Sequence, residues 1–186
     1  MFISHAHKDL VYIKRIYKLM QDIGIAPEQV FCTSVPGSDV KIDESFRNEI
    51  RTQFSTRKPH FIRVQSDNYT KSAICQNEAG AAWVLGIPFS TILLPGVSAD
   101  SVAGIVDPSK IVIATDHSHD ELHDKLSQLC STLLNELEIQ KPSKEMLYVL
   151  IDQFIADIEI IRKDQMRKKH EESVSKAIIQ KRPSWL

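Results

Sequence analysis

The chain has 186 residues, 42% hydrophobic and 25% charged, with a formal net charge of -1, which suits one domain or one domain with a small appendage. Six glycines and eight prolines exclude a collagen-like or low-complexity chain, and the balanced charge gives no electrostatic reason to expect a nucleic-acid or membrane partner. Three cysteines, Cys32, Cys75 and Cys130, are odd in number and far apart; that argues against a disulfide framework and for a reducing, cytoplasmic setting.

Met1 to His5 is too short for the apolar core of a signal peptide, and the stretch from Lys8 to Ile23 carries helical periodicity: Leu10, Ile13, Ile16, Tyr17, Met20 and Ile23 share one face. Gly24 is placed to end that helix. Met1-Phe2-Ile3 reads as a first strand and Val30-Phe31-Cys32-Thr33 as a second. Ser34 to Asp39 has turn chemistry. Ile42, Phe46, Ile50 and Phe54 recur every four residues and predict a helix. Phe61 to Val64 is a third strand, Ser72 to Leu85 a helix stopped by Gly86, Phe89 to Leu94 a fourth strand and Ile111 to Ile113 a fifth. Ser118 followed by Glu121 is a capping box, opening a helix with Leu122, Leu126, Leu129, Leu133 and Leu137 on one face.

The uncharged stretch Ala79 to Ala99 has the length of a membrane span. Gly86, Pro88 and Pro95 interrupt it, so a helix end followed by a buried strand is the better reading. After Pro142, Ser143 can cap a helix carrying Leu147, Leu150, Ile151, Phe154, Ile158 and Ile161. The charge-dense segment Arg162 to Glu172 reads as solvated, and Val174 to Leu186 has no period. The division expected is 1-140 as one α/β domain and 141-186 as a C-terminal helix and tail.

Five short strands alternating with helices predict an α/β domain with a parallel sheet. The run Phe89 to Leu94 is apolar on both faces, as a buried parallel strand must be. Ligands of such sheets bind outside the carboxyl ends of the strands, at the switch in strand order. The loops beginning at Ser4, Ser34 and Gln65 are therefore where chemistry is expected.

Three of these loop regions carry a resemblance. Phe2-Ile3-Ser4-His5-Ala6 with Lys8-Asp9 resembles the first box of Toll/interleukin-1 receptor (TIR) domains, most closely the bacterial branch. Phe31 to Ser38 is similar to the second box and its mobile loop. Ser72-Ala73-Ile74-Cys75-Gln76-Asn77-Glu78 resembles the segment that carries the glutamate of catalytic TIR domains, and the likeness runs on to Ile92-Leu93-Leu94-Pro95-Gly96. It covers about Met1 to Leu137. Two features depart from the pattern: the Phe-Trp third box of animal TIR domains is absent, and Ile74 stands where a tryptophan is common.

The resemblance implies a flavodoxin-like fold with a five-stranded parallel sheet, and cleavage of the nicotinamide–ribose bond of NAD. NAD would be a substrate; no cofactor is implied, since no dinucleotide or phosphate-loop fingerprint is present. Nicotinamide leaves as a neutral ring, so the chemical need is one carboxylate to stabilise charge building on the ribose. By resemblance that carboxylate is Glu78; from the residues alone, an acid in the first turns of a helix is also simply favoured by the macrodipole.

The other candidates each have two readings. Ser4, His5 and Ala6 can turn backbone N–H groups to a phosphate or ribose, or form a plain strand-to-helix turn. Lys8 can pair with a diphosphate or sit exposed at a helix start. Pro36, Gly37 and Ser38 gate the pocket in the family, or form an ordinary surface loop. Arg47 can reach a diphosphate or face solvent. Cys75 can line the site, but a buried thiol is the simpler reading. Trp83 reads as core. His117, His119 and His123 cluster in sequence, but Asp120 after His119 breaks the usual zinc pattern and no metal is expected.

The resemblance further implies self-association through TIR–TIR contacts, a product of ADP-ribose or a cyclic or conjugated form, a downstream ADP-ribose-sensing effector, and a role in anti-phage defence. The rival class is a non-enzymatic TIR adaptor; a third is a nucleoside-transferring enzyme on the same fold. The apolar helix after Pro142 either mediates assembly or covers the domain's own core.

Overall fold

The computed structural model describes residues 1–32, 52, 54, 56, 59–98, 102, 112–115 and 117–180. Strands β1 (Phe2–Ser4), β2 (Phe61–Gln65), β3 (Phe89–Leu93) and β4 (Val112–Ala114) lie side by side in that order, every pair parallel. On the free side of β1, Phe2 makes an isolated parallel bridge to Phe31. The predicted second strand is thus reduced, among the described residues, to one bridge, and its far end lies outside them. After β1 the chain runs to the outer edge at Phe31, then crosses to the opposite side of β1 to form β2. The strand order reverses at β1, which is where a parallel sheet opens a crevice at its carboxyl end.

Among the described residues the sheet is flanked by the helices α1 (Leu10–Asp22), the single turn α2 (Asp67–Thr70), α3 (Ala73–Val84), α4 (His119–Glu136) and α5 (Lys144–Gln180). A 3-10 turn, His7–Asp9, precedes α1. Gly24 and Gly86 close α1 and α3 as predicted. Both have positive φ, +102° and +62°. Each helix end is tied by a pair of bonds from the two residues past the cap: Gly24 N to Gln21 O and Ile25 N to Met20 O, then Gly86 N to Trp83 O and Ile87 N to Ala82 O. Ser118 caps α4, accepting from Glu121 N and donating to Glu121 Oε2; Ser143 caps α5 by accepting from Met146 N.

The two sheet faces have different cores. One, carrying Ile3, Ile62, Val64, Ile92 and Ile113, is covered by α1, α4 and the first half of α5. Ile151, Phe154, Ile158 and Ile161 of α5 belong to this same core, so the helix after Pro142 covers the sheet-bearing body of the chain. The other face is an aromatic ladder. Phe31, Phe2, Phe61 and Phe89 stack across successive strands at 5.1, 5.4 and 4.9 Å between ring centres, and Phe54 meets Phe2 edge-on. Against it α3 presents small residues, Ala79 and Ala82, both fully buried.

One expectation is corrected. Trp83 is 59% exposed: α3 turns its small side to the sheet and its bulky side outward. The charged stretch Arg162 to Glu172 is solvated as expected, with none of its residues buried, and it lies within α5, which continues to Gln180 with acid-before-base pairs one turn apart, among them Glu159–Lys163 and Asp164–Lys168. Ile42, Phe46 and Ile50 of the predicted second helix lie outside the described residues. No helix among the described residues is long and apolar enough to cross a membrane.

Candidate active site

Alternation along the strands builds the site. Ser4 shares the aromatic face with Phe2, as do Arg63 and Gln65 with Phe61 and Thr91 with Phe89. The register places Ser4, Arg63 and Thr91 in one row. The face is therefore aromatic at the amino ends of the strands and polar at the carboxyl ends, beside the reversal in strand order. On α3, Cys75, Ala79 and Ala82 face the sheet at helical spacing. Glu78, three residues after Cys75, borders that stripe and leans over the end of β1.

Ser4 is 1% exposed, and its Oγ donates to Glu78 Oε2 at 2.6 Å. The same Oγ lies 2.9 Å from the Tyr69 hydroxyl, which donates to the Cys75 carbonyl at 3.0 Å. Burial pushes the Glu78 carboxyl up to about 6, with the Ser4 bond pulling the other way. Hydrogen counting agrees with a proton held readily. Three contacts link Glu78, Ser4, Tyr69 and the Cys75 carbonyl, yet Ser4 and Tyr69 bring one hydrogen each. With Glu78 protonated, a continuous chain runs Glu78 to Ser4 to Tyr69 to the carbonyl. With Glu78 ionised, the Ser4–Tyr69 contact has no hydrogen of its own.

Tyr69 comes from α2, whose start is fixed by Ser66: its Oγ accepts from Tyr69 N and donates in a short bond to Asp9. Asp9 also accepts from Asn68 Nδ2 at 2.7 Å. The loop after β1 and the loop after β2 are thereby tied together around a buried carboxylate, and Tyr69 is held above Ser4. Burial raises the Tyr69 phenol strongly, so it is a neutral hydrogen-bond donor at any working pH.

Among the residues predicted from sequence, Ser4 and Glu78 meet directly. His5 is buried, with Nδ1 3.3 Å from Ile3 O and 4.0 Å from Cys32 Sγ; burial lowers its pKa, and Nε2 has no partner. Ala6 is buried at the start of the 3-10 turn, and Lys8 on that turn is exposed. Cys75 is buried, donates through Sγ to His5 O at 3.4 Å, and burial raises its thiol pKa. It acts as a strut between α3 and the loop after β1. Pro36, Gly37, Ser38 and Arg47 lie outside the described residues.

The histidines of α4 turn toward α5. His119 Nε2 lies 3.1 Å from Asp152, and the His123 ring packs on Tyr148 at 4.1 Å. Among the described residues no three His, Cys, Asp or Glu side chains are grouped to hold a metal.

Tyr69, Asp9, Arg63 and a second polar cluster were not legible as site residues. In that cluster His60 bridges Glu136 Oε2 and Ser90 Oγ, both at 2.8 Å, an order reminiscent of hydrolase triads. Ser90 is 1% exposed, and the cluster pins α4 to the sheet. A cavity of about 260 Å³ lined by Met1, Gln29, Phe31, Pro59 and Leu137 opens at the amino end of the strands, away from Glu78.

No protein-family profile matches the chain. It is similar to the uncharacterized protein YddK of Bacillus subtilis (strain 168), 29% identical over 137 residues, which are 73% of this chain and 51% of YddK. The chain thus spans about half the length of that relative.

Proposed function

We propose that the chain is an NAD-cleaving enzyme of the flavodoxin-like TIR type, with Phe31 marking the edge strand that would make the sheet five-stranded. Glu78 is the catalytic carboxylate. The observation that carries this reading is the 2.6 Å contact between Ser4 and Glu78 at the carboxyl rim of the sheet. It joins the first and third resembling boxes at one point, beside the reversal in strand order. In the ionised form Glu78 stabilises positive charge developing on the ribose as neutral nicotinamide departs. Ser4 fixes the orientation of the carboxylate. Water or a hydroxyl of the same molecule then takes the ribose carbon, giving ADP-ribose or a cyclic product. The defence setting and an ADP-ribose-sensing effector follow from the same resemblance, and a cytoplasmic location from the cysteine usage.

The experiment is release of nicotinamide from NAD by the purified chain across a wide concentration range, with mass spectrometry of the product. Release that vanishes in Glu78→Gln supports the assignment; full activity in that variant refutes it. The adaptor reading has one observation in its favour, the exposed apolar end of α3: Trp83, Val84 and Leu85 at 59%, 73% and 44% exposure. No release at any concentration, with concentration-dependent self-association lost in Trp83→Glu, would favour it. Exchange of free bases into the product would instead identify a nucleoside-transferring enzyme.

A further inference from the structure

Arg63 lies in the middle of the sheet and is 4% exposed. Its Nε donates to Gln65 Oε1 at 2.7 Å, and its guanidinium sits 5.1 Å from the centre of the Tyr69 ring. Gln65 is in turn anchored through Nε2 to Ser66 O and Thr70 Oγ1. One edge of the guanidinium is thus held by a neutral amide and one face by an aromatic ring. Neither supplies negative charge. No carboxylate among the described residues forms an ion pair with it, and Nη1 and Nη2 have no protein acceptor there. Among the described residues the fully buried unpartnered side-chain atoms are those of His5, His123 and Asp152, and the Arg63 fork is not one of them.

An arginine in this state is expensive. Guanidinium stays charged in proteins, and burying a charge without a counter-charge opposes folding. An apolar residue would fill the position at no such cost, as Phe61 does two residues earlier on the same face. The fork of Nη1 and Nη2 is also the geometry that matches phosphate oxygens in pairs. The fork belongs to the same row as Ser4 and shares Tyr69 with the Glu78 chain.

We propose that Arg63 is the anchor of a phosphate-class anion site at the carboxyl rim of the sheet, with Gln65 and Tyr69 as positioning residues that aim the open edge of the guanidinium. The site does not require Glu78 to break a bond. If the NAD reading also holds, the anion is the diphosphate of the dinucleotide.

The test is thermal unfolding and isothermal titration of the full chain with sodium pyrophosphate, against potassium chloride of equal ionic strength, and in parallel with ADP-ribose. The wild type is expected to gain stability with pyrophosphate. Arg63→Met is expected to melt higher than wild type without ligand, having lost an unpaired buried charge, and to lose at least about tenfold in pyrophosphate affinity. Arg63→Lys keeps the charge without the fork; it is expected to fold and to bind pyrophosphate more weakly than wild type. Should Arg63→Met fail to fold, Arg63→Lys alone decides. No pyrophosphate effect on the wild type, unchanged affinity in Arg63→Lys, or a folded Arg63→Met that melts lower and binds equally well would overturn the proposal. Tighter binding of ADP-ribose than of pyrophosphate, lost in the same variants, identifies a nucleotide diphosphate as the source; equal binding identifies free phosphate anions. Glu78→Gln retains the pyrophosphate effect whether or not NAD is cleaved, which separates this proposal from the catalytic one.

Discussion

Glu78 binds its proton more readily in the folded chain than in the unfolded one, because burial raises the carboxyl from 4.5 to about 6. Any stability tied to that difference is therefore fully present below pH 4.5 and is lost as pH rises through about 6. Glu78→Gln keeps a hydrogen-bonding partner for Ser4 without the charge. It is expected to be more stable than wild type at pH 8 by about 1–2 kcal/mol, with the difference gone at pH 4, as read from urea unfolding at the two pH values. The opposite sign applies to Ser4→Ala. Ser4 donation favours the ionised carboxylate, so its loss raises the carboxyl further and moves the acid limb of nicotinamide release to higher pH. A limb that stays in place would mean that Ser4 does not act on Glu78.

At the scale of elements, α3 decides whether Glu78 meets Ser4. Ala79 is fully buried in the core formed with Phe61 and Phe89, whereas Ala81 is exposed. Ala79→Leu forces α3 away from the aromatic ladder, at about 1–3 kcal/mol, and separates the carboxylate from β1. Ala81→Leu changes stability by about 0.5 kcal/mol or less. Urea unfolding of both variants, with nicotinamide release measured alongside, is expected to find activity lost only in the first.

The same helix explains the sequence misreading of Trp83. Its residues are small or apolar almost all round, so periodicity does not say which side faces in, and size was the wrong guide: alanines allow the close approach and the tryptophan is left outside. Ser4 and Glu78 were legible because each sits in a motif with a resemblance. Tyr69 and Arg63 were not, and Asp9, though it lies in the first box, had no legible role, because their roles arise from contacts made only after folding. Ser4 and Tyr69 are 65 residues apart, and Asp9 and Ser66 are 57. Arg63 lay inside a run that reads as an ordinary strand, with nothing local to mark it as unpaired.

In the molecule as a whole, α5 closes the face opposite the site. Arg15 pairs with Asp157 within the apolar half of α5 and Tyr12 donates to Gln165 one turn past Ile161, so polar contacts to α1 accompany the apolar ones. Phe154 is 4% exposed and Ile160 is 65% exposed. Phe154→Ala is expected to cost about 3–5 kcal/mol, and Ile160→Ala about 0.5 kcal/mol or less, measured by thermal or urea unfolding. Comparable losses would show that the outward face of α5 is covered in solution. Two unequal layers result. A large aliphatic layer under α1, α4 and α5 supplies stability, and a thinner aromatic layer under α3 ends in a polar rim that carries Ser4, Arg63, Tyr69 and Glu78.

We propose that this rim places a carboxylate for cleavage of the nicotinamide–ribose bond. Nicotinamide release from NAD by Glu78→Gln, at a pH where the variant is at least as stable as wild type, tests it most directly. The variant is expected to fold and its release to fall by roughly a hundredfold or more, as when one charge-stabilising group is removed; release at the wild-type rate would rule out Glu78 as the catalytic carboxylate.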